Sequence, residues 1–71
     1  MLRYRFDIIN KLKERGYSTY KIRKENIFAQ VTLTKFRTGQ VISADNLDRL
    51  CKLLQMQPGD ILEYVPDNED N

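Results

Sequence analysis

Residues 19–39, TYKIRKENIFAQVTLTKFRTG, decide how the rest of the chain is read. They divide into two short helical segments with a tight turn between them. In the first segment Ile22 faces inward, and Phe28 anchors the turn. In the second, Leu33 and Phe36 lie three apart and share one face of a helix. Gln30, Val31, Thr32, Thr34, Lys35 and Arg37 are left for the other faces. An amide, hydroxyls, a small apolar group and cations side by side are what reading a DNA groove requires. The expected arrangement is a helix, a turn and a second helix presented outward. A strand over VTLTKF is the local rival, because residue types alternate there. No partner with hairpin turn signals flanks it.

Toward the amino end, Leu2, Tyr4 and Phe6 alternate with Arg3 and Arg5, which fits either a short strand or an extended lead-in. A first helix is predicted over residues 6–15. Ile8, Ile9 and Leu12 form its apolar stripe, Asp7 sits near its positive end, and Gly16 stops it. Ser18 caps a second helix, predicted over residues 19–25 and made basic by Lys21, Arg23 and Lys24. Tyr4, Tyr17 and Tyr20 read as packing residues rather than platforms for stacked bases. Asn26 adopts a left-handed conformation more readily than most residues and marks the turn. The third helix begins near Ala29 or Gln30 and ends at Thr38, before Gly39. Its β-branched Val31, Thr32 and Thr34 lower its intrinsic propensity, so it depends on Leu33 and Phe36 docking into the core.

Toward the carboxyl end, residues 40–42 form a loop. Ser43 caps a fourth helix, predicted over residues 44–54, with the amphipathic stripe Leu47, Leu50, Cys51 and Leu54. Pro58 opens a fifth helix whose apolar content is Ile61, Leu62, Tyr64 and Val65 and which Pro66 ends. Residues 2–4 are expected near Tyr64 and Val65, pairing as a short ribbon at the domain edge. The fold class expected is all-α, a compact five-helix domain over residues 1–66. The acidic tail at 67–71, DNEDN, lacks core residues and is expected to be disordered.

Composition narrows the function. The 71 residues make one domain. Cys51 is the only cysteine, which fits a reducing cytoplasm. Histidine is absent, which argues against zinc fingers and histidine-based catalysis. Neither a phosphate-binding glycine loop nor a paired carboxylate site stands out, so no enzyme, metal or cofactor is expected. No apolar run approaches the roughly 20 residues that span a membrane. From Arg3 to Arg37 the chain carries ten Lys or Arg against three acids, a net +7. From Asp45 to Asp70 it carries two against seven, a net −5. The first half attracts an anion, and the second half should face away from it.

Taken together, the helix at 6–15, GYST, VTLTKFRTGQ, the serine-capped SADNLDRLCKLL and QPGDILEY resemble the Cro and phage-repressor group of helix-turn-helix regulators. The likeness is to the small single-domain type of bacteria and their mobile elements, and it covers residues 6–65. It implies five helices with the third in the major groove. It places base reading on Gln30, Val31 and Lys35, flanked by Thr32 and Thr34. It places phosphate contacts on Ser18 and Thr19 and on Thr38, Gly39 and Gln40. The chain departs from the family pattern at three positions. Ile27 stands where the turn usually has glycine, with Asn26 as the alternative carrier of the turn. Arg23 replaces a small residue early in helix two. Ala29 replaces the usual serine or threonine cap of helix three, a cap contributing typically about 1 kcal/mol.

By residue chemistry, Gln30 suits adenine, Lys35 a guanine or a phosphate, and Val31 a thymine methyl. Lys21, Arg23 and Lys24 suit a phosphate wall, which Arg37 extends. The function expected is a sequence-specific regulator of double-stranded DNA, a repressor acting as a two-fold homodimer with its third helices about 34 Å apart. Leu53, Met56, Ile61, Tyr64 and Val65 exceed what one small core needs and are the dimer candidates. No site for a small-molecule effector is evident. The alternative is a protein-interaction module on the same fold, an antitoxin or phage-encoded inhibitor, which would more naturally use an apolar patch.

Overall fold

Seven elements follow one another along residues 1–67, the part of the chain that the computed structural model describes. They are β1 (Leu2–Tyr4), α1 (Ile8–Glu14), α2 (Thr19–Lys24), α3 (Gln30–Thr38), α4 (Ala44–Leu54), α5 (Pro58–Ile61) and β2 (Leu62–Tyr64). The expected disordered tail falls, from residue 68 onward, outside the described residues.

Local chemistry explains most boundaries. α1 begins at Ile8 rather than Phe6, because Asp7 is its cap and accepts from the Asn10 backbone N–H at 3.1 Å. Ser18 and Ser43 cap α2 and α4 in the same way, accepting from Lys21 N–H at 3.2 Å and Asn46 N–H at 3.3 Å. At their far ends, helices stop where a residue turns left-handed: Gly16 after α1, Asn26 after α2, Gly39 after α3 and Gln55 after α4.

The all-α expectation needs one correction. The last helix ends at Ile61, and Leu62–Tyr64 runs antiparallel to Leu2–Tyr4 with Leu2 opposite Tyr64 and Tyr4 opposite Leu62. The expected ribbon therefore forms, and it takes Leu62 and Tyr64 out of the helix. Backbone partners waiting on the first strand are the reason. Arg5 N–H donates to Ile61 O at 2.8 Å and Val65 N–H to Met1 O at 2.7 Å, so the ladder takes over where α5 stops. Glu63 accepts from Arg3 Nε at 2.7 Å and lies within 3.4 Å of Arg5, on the ribbon face opposite Tyr4 and Leu62.

The core gathers Ile8 and Leu12 from α1, Ile22 from α2, Phe28 from the turn, Leu33 and Phe36 from α3, Leu50 and Leu54 from α4, and Ile61 from α5. Ile42, from the loop before α4, completes it. Phe28 and Phe36 meet edge to face at 5.2 Å, and Tyr4 brings the ribbon onto Phe36 at 6.1 Å. α3 thus lies against both the helical core and the ribbon.

Candidate nucleic-acid interface

The junction between α2 and α3 is built around Asn26, at φ 55°. Ile27 N–H donates back to Ile22 O at 2.9 Å and Asn26 N–H to Arg23 O at 3.3 Å, the paired bonds of a Schellman ending. Asn26 therefore does the work of the glycine expected one residue later. Ile27 is free to be apolar, and it packs half-buried against the core. Arg23 is exposed on α2, so its bulk is not buried between the helices. Ala29 holds the backbone of a cap with no side-chain bond, as its residue type requires.

Along α3, residues advance by about 100°. Thr32, Leu33 and Phe36 are buried and define the inner face. Gln30, Val31, Thr34 and Thr38 fall on the opposite face and are exposed, Val31 by 63%. Lys35 and Arg37 take the flanks, with Lys35 half-buried and Arg37 exposed. One candidate reader must be withdrawn. Thr32 is only 4% exposed, and its hydroxyl oxygen accepts from Asn46 Nδ2 at 3.1 Å. It sits four residues before Phe36 and beside Leu33, so it belongs to the inner face and cannot touch a base. Thr34 keeps its place on the outer face, although its hydroxyl proton is given to Gln30 O at 3.1 Å.

The candidate phosphate contacts divide by what their polar atoms already do. Ser18 Oγ accepts the capping bond, which leaves its proton available to donate. Thr19 is half-buried beside it. Lys21, Arg23 and Lys24 are exposed, and none of them, nor Lys35 or Arg37, meets an acid among the described residues. Lys21 lies 5.2 Å from the Tyr17 ring and Lys24 5.7 Å from the Tyr20 ring, which keeps both stems against α2. At the far end of α3, the backbone amides of Gly39 and Gln40 both point back at Lys35 O, the latter at 2.9 Å. These two amides are spent on the helix end and are not free for a phosphate. The Thr38 hydroxyl likewise donates to Thr34 O at 3.0 Å, which leaves the Gln40 side chain and Arg37 as the donors of this loop with no partner among the described residues.

Several residues stand where the spacing did not put them. Tyr20 is 71% exposed on α2, so it is not the packing residue expected. Tyr4 is half-buried and its hydroxyl donates to Gln40 O at 2.7 Å, tying the ribbon to the loop after α3. Burial also raises the Tyr4 pKa, which keeps that donor protonated. From α4, Arg49 donates to Ile27 O at 2.6 Å. Neither Arg49 nor Asn46 carries a pattern in sequence that announces such contacts.

Among the dimer candidates, Ile61 is withdrawn, because it is fully buried in the chain's own core. Leu53, Met56 and Val65 are half-buried, and Tyr64 is 66% exposed. Leu2 and Met1 are exposed beside Tyr64 on the ribbon. Cys51 packs half-buried against the core. Burial first, then the charges of Asp48 and Asp60, raise its pKa and make the thiolate scarce.

Among the described residues no helix is long and apolar enough to cross a membrane, and no group of His, Cys, Asp or Glu could hold a metal ion. A family model described as the Cro/C1-type HTH DNA-binding domain matches residues 7–67. No curated protein and no solved structure matches the chain.

Proposed function

The chain belongs to the Cro/C1-type helix-turn-helix DNA-binding domain family, and from that premise we propose that it is a sequence-specific repressor acting as a two-fold dimer with α3 in the major groove. The observation that carries this reading is the division of α3. Leu33, Phe36 and Thr32 are buried, while Gln30 and Val31 are exposed at its first turn, beside an α2 whose cations meet no acid among the described residues. Gln30 pairs with adenine through its amide, and Val31 meets a thymine methyl. Lys35 reaches a guanine or a phosphate from the flank, and Thr34 supplies its methyl and oxygen. Lys21, Arg23, Lys24, Arg37 and the Ser18 hydroxyl hold the backbone on either side.

One module makes few base contacts, so two copies read the two halves of an inverted repeat. The exposed Leu2 and Tyr64 pair, with Met1 exposed beside it, offers an apolar surface for that contact. Tyr64→Glu should leave the monomer folded and weaken assembly on DNA, as read by equilibrium sedimentation. One protein per site throughout would rule the dimer out.

The test begins with selection of bound sequences from a random DNA pool. An inverted repeat with half-sites one helical turn apart is the expected outcome. Titrations then separate two roles. Gln30→Ala should cost about 1–3 kcal/mol on the preferred site and little on random DNA. Lys24→Ala should weaken both DNAs alike and lower the salt slope by about one. Equal weakening of both by Gln30→Ala would mean that α3 does not read the groove. Failure of the parent to bind any DNA at low salt would favour a protein partner instead.

A further inference from the structure

We propose that Asn46 and Arg49 of α4 are positioning residues for base reading, holding the first turn of α3 at the angle with which Gln30 and Val31 meet the bases. The inference rests on α3 being the helix that reads DNA. Its ground is a pair of directed contacts. Asn46 and Arg49 lie three apart and so share one face of α4. Arg49 donates to Ile27 O at 2.6 Å, in the turn. Asn46 donates through Nδ2 to Thr32 Oγ1 at 3.1 Å, on the inner face of α3. The two anchors bracket Gln30 and Val31 in sequence, one on each side.

The Schellman bonds of Asn26 and Ile27 close the end of α2 but reach no residue of α3, and the other groups that could fix its first turn are weak. Ala29 offers no side-chain bond to the first turn of α3. Phe28, Leu33 and Phe36 set how deep α3 sits, but the apolar driving force is itself non-directional. Hydrogen bonds have a narrow range of length and angle, so two of them at different heights define an orientation. Thr32 is the only buried polar side chain among the described residues. Its hydroxyl tolerates loss of its partner poorly, which holds the register between the two helices. The base of the clamp is itself secured, because the Asn46 backbone N–H is the one that Ser43 caps. An arginine at position 49 is also exposed and cationic, so direct contact with a phosphate is the rival role for it.

The test uses the full chain, the preferred site recovered from the random pool, and random DNA at matched salt. Arg49→Met removes the donor and keeps the stem. The double variant Thr32→Val with Asn46→Leu removes both partners of the second bond at nearly constant shape, so it leaves no buried group unpaired. Each should lower the preference for the selected site over random DNA by about tenfold, the scale of one misaligned base contact. Binding to random DNA, the salt slope and cooperative unfolding should stay as in the parent. Arg49→Lys, which keeps a donor for the Ile27 carbonyl, should restore most of the preference. A merely structural role would not lower specific binding while sparing non-specific binding. If Arg49→Met weakened both DNAs equally and reduced the salt slope by about one, Arg49 would be a phosphate contact and the proposal would be overturned. Unchanged preference in both variants would overturn it too, with the DNA-reading assignment intact because the parent still discriminates. A parent that showed no preferred site would remove that assignment and the proposal together.

Discussion

Ala29→Ser should stabilise the domain, and the structure supplies the scale. Three helices start from nearly the same cap backbone. Ser18 has φ −69° and ψ 160°, Ser43 has φ −66° and ψ 162°, and Ala29 has φ −68° and ψ 160°. At the two serines, Oγ accepts the N–H three residues on, at 3.2 and 3.3 Å. A serine at position 29 needs no backbone change to offer the same bond to Thr32 N–H. That N–H already makes a short-range bond to Ala29 O at 3.0 Å, as turn-type bonds at helix starts commonly do, and it can share. Replacing alanine by serine at a cap contributes about 1 kcal/mol. Unfolding entropy of roughly 2.1 cal/mol/K per residue gives about 150 cal/mol/K for this chain, so Tm should rise by about 7 °C. Thermal melts and urea titrations of Ala29→Ser measure it, with Ser43→Ala as the internal control, expected to fall by a similar amount. A serine variant that melts within about 1 °C of the parent, while Ser43→Ala loses several degrees, would refute the equivalence of the three caps.

Three further outcomes are expected. Leu33→Ala and Phe36→Ala should each lose about 2–5 kcal/mol, because both side chains are buried where α3 meets the core; melts matching the parent would show that α3 is held by something else. Gln55→Gly should raise stability by up to about 1 kcal/mol, since Gln55 holds φ 56° and pays for its Cβ there; a fall in the urea midpoint would argue against it. The hydrogen bond from Arg3 holds the Glu63 pKa below its ordinary value. Because the folded value is depressed, the ribbon's gain from this pair is present above about pH 4.3, the ordinary glutamate value, and fades as pH falls through the folded one. Glu63→Gln should flatten that acid limb, followed by amide exchange of Arg5 and Val65, whose N–H groups bond across the ribbon, and an unchanged limb would mean that the pair does not tie the ribbon.

What could be read from the sequence was local. Ser18, Ser43, Gly16, Asn26 and Gly39 act on their own few residues, so the boundaries of α2, α3 and α4 fall where those signals put them. Thr32 carries two conflicting signals in the sequence. Its spacing from Phe36 placed it on the inner face, but its hydroxyl suggested the outer one, and spacing prevailed because Asn46 could satisfy the hydroxyl. Leu62 and Tyr64 read as helix in the sequence because their partners lie some sixty residues away, at Tyr4 and Leu2. A three-residue strand has no period of its own to betray it. The size of Tyr20 favours packing, yet α2 is only Thr19–Lys24, and its one buried residue is Ile22.

The unread contacts have a common target. Tyr4 grips the C-terminal side of α3 through the Phe36 ring and the Gln40 carbonyl. Arg49 and Asn46 grip its N-terminal side through Ile27 and Thr32. These groups come from β1 and α4, so the direction in which α3 points is set largely outside α3. Within α3, Gln30 and Val31 are exposed and Thr34 bonds only to its own helix. On the proposed reading, the residues that would meet a base are therefore separate from those that aim the helix. Changes at positions 30, 31 and 34 should then alter which sequence is preferred without loosening the anchors, while changes at positions 4, 46 and 49 should weaken the preference itself.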